Sequence, residues 1–204
     1  MATPNLSITI KNANTLIWKL QSHKTDSEKL EAKYQHFIAE MIMLRLFSIF
    51  EEAVSEIAFK LAAGGTYTNG SVPILNIRSS SIAASRGLFL NYGRVRPETN
   101  LKWTKARYIK ESVEYIMPST ERFIINAQNY GSIIEEMRKV RNMLAHNTHS
   151  ARADYKCVIR QTYGANINIS PGAYLTSTRR LPICNLNKYI ASTRAIIAAM
   201  ASGN

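Results

Sequence analysis

The sequence is poor in cysteine, short of acid and free of long apolar runs, and each shortage excludes something. Two cysteines in 204 residues, Cys157 and Cys184, cannot build a disulfide framework or a zinc cluster. A reducing, cytoplasmic setting with two buried, inert thiols is therefore expected. No stretch is long enough to span a bilayer, and the opening MATPNLSITIKNAN lacks the basic-then-apolar layout of a signal peptide. No basic amphipathic helix with a Trp/Leu face occurs, so no membrane partner is expected. Internal repeats and low-complexity tracts are absent. Asp and Glu number only 14 against 26 Lys and Arg, a net charge of +12. That excess attracts polyanions over a Debye length and makes nucleic acid the first partner to consider.

What is present reads as a folded chain. A hydrophobic fraction of 46% with 20% charged residues fits one globular domain over 1–204, large enough to bury a core. After an extended start, NTLIWKLQSH (14–23) reads as a short helix. A long helix follows from about 26 to 63, with Met43, Leu46, Phe50, Ile57 and Leu61 on its apolar face. The Gly- and Ser-rich 66–97 stretch reads as a long loop interrupted by a helix near 82–90; loops of this length are more often functional than decorative. Helices are expected over 98–116 and 130–145, the latter with Ile133, Ile134, Met137, Val140 and Leu144 inward. YKCVIRQ (155–161) and INIS (167–170) alternate with period two, and AYLTS follows Pro171-Gly172, which predicts a hairpin or three-stranded meander. The expected fold is thus mainly α: a helical bundle over about 14–147, a small β insertion over about 155–177, and a closing helix over about 186–201.

One decapeptide, RKVRNMLAHN (138–147), puts polar groups into a core-forming helix. Asn142 and His146 are four apart and share a face, which Arg138 continues. Arg141 and His146 are five apart, separated by roughly 140° around an unbroken helix. A long guanidinium can curl back, but two copies across a twofold axis would converge four such groups on one cleft. The residue types suit phosphodiester cleavage. An imidazole exchanges protons near neutrality, and a guanidinium forks onto two phosphate oxygens and stabilises the charge of a pentavalent transition state. Asn142 can orient the imidazole or bond the ribose. No metal-ligand set or cofactor motif lies nearby, so the chemistry expected is attack by the RNA's own 2′-hydroxyl without metal.

The motif VRNMLAH, with Arg141, Asn142 and His146, resembles the Arg-polar-x-x-x-His signature of the HEPN superfamily, helical domains found in RNases of toxin–antitoxin, phage-defence and CRISPR systems. MLRLFSIFEEAVSEIAFKLAAGG is similar, more loosely, to the preceding helix of stand-alone defence-associated HEPN domains. The resemblance covers less than half of the chain. It implies a metal-independent endoribonuclease acting as a homodimer, with Arg141 and His146 catalytic and Asn142 beside them. It also implies a toxin or defence effector with an antitoxin or defence-system protein as partner. The branch whose antitoxin modifies a Tyr two residues after the His has its counterpart here at Thr148, which argues against that regulation.

Other residues complete the expectation. YGRVRPETNLKWTKARYIK (92–110) interleaves cations with rings, the composition that tracks phosphates and stacks unpaired bases, so Arg94, Arg96, Lys102, Trp103, Lys105 and Arg107 are candidate RNA contacts, with Arg138. Glu52, facing the same way as Arg45, is a candidate supporting residue. His146 and His149 have metal-ligand spacing but no carboxylate or thiolate beside them. AAGGTYTNG lacks the Lys-Ser/Thr of a phosphate loop. The competing function is a non-catalytic HEPN-like module that binds RNA or protein; a DNA-binding regulator is disfavoured by the lack of a recognition-helix signature.

Overall fold

Helical periodicity and its end signals decide the architecture. The computed structural model describes residues 4–204, and among them are nine helices and no strand. They are α1 (Leu6–Ser27), α2 (Ala32–Ala62), α3 (Ile82–Asn91), α4 (Ala106–Val113), α5 (Arg122–Asn129), α6 (Gly131–His146), α7 (His149–Tyr163), α8 (Pro171–Thr176) and α9 (Asn185–Ser202). No helix among the described residues is long and apolar enough to cross a membrane. The mainly α expectation holds, and the apolar face read in α2 is buried as expected.

The β insertion is corrected. YKCVIRQ lies inside α7, where Tyr155, Val158, Ile159 and Tyr163 form one buried helical face. Thr148 caps the helix by accepting from the Ala151 N–H, and Gly164, at φ 72°, ends it in the left-handed conformation. Ser170 caps α8 and Pro171 occupies its first turn, so AYLT is helical too and Ser177 closes the helix in an extended conformation. INIS carries no regular structure. Turning α7 as a helix also exposes Cys157, against expectation, while Cys184 is buried.

Boundaries moved elsewhere. The extended start is helical from Leu6, with the Asn5 side chain accepting from the Ser7 N–H at 2.8 Å. The long helix breaks at residues 28–31, where Gln35 Nε2 donates to the carbonyls of Leu30 (2.8 Å) and Glu28 (3.4 Å). The helix expected over 98–116 shortens to α4, and α5 was not anticipated.

The fold divides into two compact units. The first comprises the described residues up to Ala13, Phe50–Ile134 and Arg194–Asn204. Its core includes Ile57 and Leu61 of α2, Phe89, Ile109, Phe123 and Met200. The 66–97 segment is fastened within it: buried Glu121 accepts from the Tyr67 hydroxyl and, at 2.6 Å, from the Ile74 N–H. Burial, and the bond to Glu121, push the Tyr67 phenol well above its ordinary pKa.

The second unit comprises Asn14–Ile49 and Glu135–Thr193. Buried Met43, Leu46 and Phe47 of α2, Met137 and Val140 of α6, and Tyr174 and Tyr189 form its centre. Glu136 Oε1 is the polar hub, accepting from Tyr189 Oη and Lys188 Nζ, each at 2.7 Å, and from Tyr174 Oη at 3.4 Å. Gly172 brings α8 onto α2. Its N–H donates to Glu40 Oε1 at 2.8 Å, and a Cβ there would meet His36 Cβ at 2.6 Å.

Candidate functional site

The decapeptide forms the second half of α6. Met137 and Val140 anchor it in the second unit, which leaves Arg138, Arg141, Asn142 and His146 on its flanks and outer face. Arg138 is already committed. Its guanidinium forks onto Glu135 (Nε–Oε2 2.8 Å, Nη2–Oε1 2.7 Å) and reaches Asp154 of α7 at 3.4 Å. Only 13% of that side chain is exposed. The bond to Glu135 raises its pKa further. The residue expected to touch substrate thus fixes α7 to α6.

Arg141 and His146 meet. Arg141 Nη1 lies 3.3 Å from His146 Nε2 and 3.1 Å from Asn142 Oδ1. Its guanidinium carbon stands 6.0 Å from the Phe47 ring centroid, within cation–π range. The guanidinium therefore curls back across the angle between the two positions, and one protomer suffices to join them. His146 is exposed and is the last residue of α6, because Asn147 adopts φ 45° and breaks the helix. Asn147 in turn accepts from Arg152 Nε of α7 at 2.9 Å. A guanidinium can only donate, so in this contact Nε2 is the acceptor and the neutral ring carries its proton on Nδ1. The pair thus holds a proton acceptor and a fixed cation within one hydrogen bond of each other, with Asn142 buttressing the cation.

The remaining candidates belong to the first unit, where several have structural tasks. Trp103 is 8% exposed and packs edge-on to Phe59 at 5.9 Å, so it is a core residue and offers no face for a base. Arg94 spends its guanidinium on the carbonyls of Phe89 (3.0 Å) and Glu111 (2.9 Å), tying the end of α3 to α4. Arg107 pairs with Glu111 at 2.6 Å. Lys102 and Lys105 both stand over the Tyr108 ring, at 5.5 and 5.3 Å. Arg96 is exposed, as is Glu52 on α2.

Sequence reading missed the cations that α7 presents to solvent. Arg152, Lys156 and Arg160 recur every fourth residue and are all exposed. Their signal was in ARADYKCVIR, but the strand reading began at Tyr155, which left Arg152 outside the element and broke the row of three. Among the described residues, no three His, Cys, Asp or Glu side chains gather as a metal-ligand set. No family model, curated protein or solved structure matches the chain.

Proposed function

We propose that the protein is a metal-independent endoribonuclease of HEPN type. The observation that carries the reading is the 3.3 Å approach of Arg141 Nη1 to His146 Nε2 at the exposed end of α6. An arriving phosphodiester competes for the guanidinium, which leaves the imidazole and forks onto the non-bridging oxygens. The freed Nε2 accepts the proton of the ribose 2′-hydroxyl. The 2′-oxygen then bonds to phosphorus, the bond to the 5′-oxygen breaks, and the leaving oxygen takes up a proton. The products are a 2′,3′-cyclic phosphate and a 5′-hydroxyl. Arg141 stabilises the charge on the pentavalent phosphorus, and Asn142 holds Arg141 in place.

The reading includes a homodimer. Trp18, Phe37 and Met41 stand 64%, 61% and 51% exposed in the same unit as the pair, and large apolar side chains left to water favour a protein cover. It also includes a role as a toxin or phage-defence effector, with an antitoxin or defence-system protein as its restraint.

The test is cleavage of RNA in EDTA. The parent protein should cut and leave cyclic phosphate ends, and His146→Ala should lose cutting by at least 10²-fold with an unchanged circular dichroism spectrum. Equal cutting by the variant overturns the assignment. One observation favours the competing module: the Arg141 contacts to Asn142 and Phe47 are also those of a side chain that simply staples α6. RNA retention with no cleavage by either protein would select that reading.

A further inference from the structure

Beside the Arg141–His146 pair, a groove of about 830 Å³ opens between α7 and the irregular segment 165–170, inside the range of about 300–1,000 Å³ usual for small-ligand sites. Its nearer end lies within one helical turn of His146. Met143, one helical turn before His146, forms part of its lining, and Arg152 at its mouth donates to Asn147, the residue after His146. Met143, Ile159 and Ile167 contribute apolar surface to a lining that mixes apolar and polar side chains. Its outer wall is fixed, because the Tyr155 hydroxyl donates to the Ile169 carbonyl at 3.2 Å. Two amides, Asn166 and Asn168, stand exposed on that wall. Arg152 and Lys156 line the other side, and exposed Arg160 continues their row one turn beyond the lining, the three about 6 Å apart on successive turns of α7. None of the three has an ion-pair partner among the described residues.

We propose that this groove binds one unstacked base of a single-stranded RNA, with the α7 cations tracking the phosphates that lead away from the scissile linkage. Each element of the groove matches a demand of that ligand. A base needs apolar surface for its faces and amide groups for its edges, and an Asn amide presents donor and acceptor side by side. The adjoining strand carries one negative charge per nucleotide, which a row of exposed cations at one helical-turn spacing meets. Residues 135–193 supply the field: nine Lys and Arg against three acidic residues. The inference rests on the ribonuclease reading for the identity of its ligand, and it moves the RNA path away from 92–110, where Trp103 and Arg94 are consumed by the fold.

Binding separates the two readings. The probe is a short 2′-O-methylated single strand, which a 2′-hydroxyl mechanism cannot cut, titrated by anisotropy at several salt concentrations. Lys156→Ala/Arg160→Ala should weaken binding and reduce the log–log salt slope by about 1.4, roughly 0.7 for each phosphate contact removed. Asn166→Ala/Asn168→Ala should alter the ranking of A, C, G and U homopolymers and leave that slope unchanged. Strands carrying 4-thiouracil should photocross-link to peptides spanning 143–171. No RNA binding by the parent protein, an unchanged slope in the cation variant, or cross-links confined to 92–110 would each overturn the proposal. A weakened cation variant alongside a His146→Ala protein that still cuts would keep the groove and remove the catalytic assignment. The reverse pattern would remove the groove alone.

Discussion

At the scale of single residues, the same side-chain type serves opposite ends according to what surrounds it. Arg138 and Arg141 sit three positions apart on one helix, yet the first is neutralised by Glu135 and Asp154 while the second meets an amide, an imidazole and a ring, with no carboxylate paired to it among the described residues. That leaves Arg141 with donors to offer a phosphate. Trp103 makes the point for aromatics. Its position among lysines and arginines reads as a stacking platform, but the ring is edge-on to Phe59 and 8% exposed. Trp103→Ala should therefore destabilise the protein by about 3–5 kcal/mol, the usual cost of emptying a large aromatic site. Urea unfolding measures this directly. A midpoint equal to the parent's would return Trp103 to the surface role that its neighbours in sequence suggest.

At the scale of elements, α7 is where reading and structure part, and its caps explain why. Seven residues of YKCVIRQ satisfy a strand's alternation and a helix's i, i+3, i+4 pattern at once. The information that separates them lies outside the window, in Thr148 at one end and Gly164 at the other. Longer stripes leave no such ambiguity, so α2, α6 and α9 were legible from their apolar spacing alone. The Arg141–His146 pair was legible for a related reason: helix arithmetic places both on a known element, and only the reach of the guanidinium had to be supplied. The Arg138–Glu135 pair was legible as an i, i+3 spacing that sequence reading missed. The reach of Arg138 to Asp154 and of Arg94 to backbone carbonyls of α4 was not legible, because tertiary packing brings those partners close. The cap at Gly164 offers a test of the helix itself. An alanine there would meet nothing closer than Arg180 Nη2 at 4.0 Å, so its cost is conformational, about 1–2 kcal/mol for a Cβ held at positive φ. Thermal melting of Gly164→Ala should show that loss. An unchanged midpoint would mean that α7 does not need its left-handed cap.

At the scale of the molecule, each unit is built around buried phenols, and this sets how the protein meets alkali. Tyr67 serves the first unit; Tyr155, Tyr174 and Tyr189 serve the second. Burial is the leading cause that raises all four, since a phenolate would have to be desolvated. For Tyr174 the phenol is pushed up from 10.0 to about 12 by burial, and its hydrogen-bonded contacts with the Thr162 and Tyr189 hydroxyls hold it back from going further. The sign follows from linkage: a proton bound more tightly in the folded state stabilises that state fully below the unfolded pKa, and the benefit disappears as pH rises through the folded one. For Tyr174 the window runs from about 10 to about 12, and for the other three it extends higher. An alkaline titration followed by phenolate absorbance tests this. The phenolate signal of Tyr67, Tyr155, Tyr174 and Tyr189 should rise only as the helical circular dichroism collapses, and the two changes should coincide. Phenolate absorbance that completes near pH 10 with the helices unaffected would mean that these hydroxyls are open to water, and the Glu136 hub of the second unit would then not be the closed core described above.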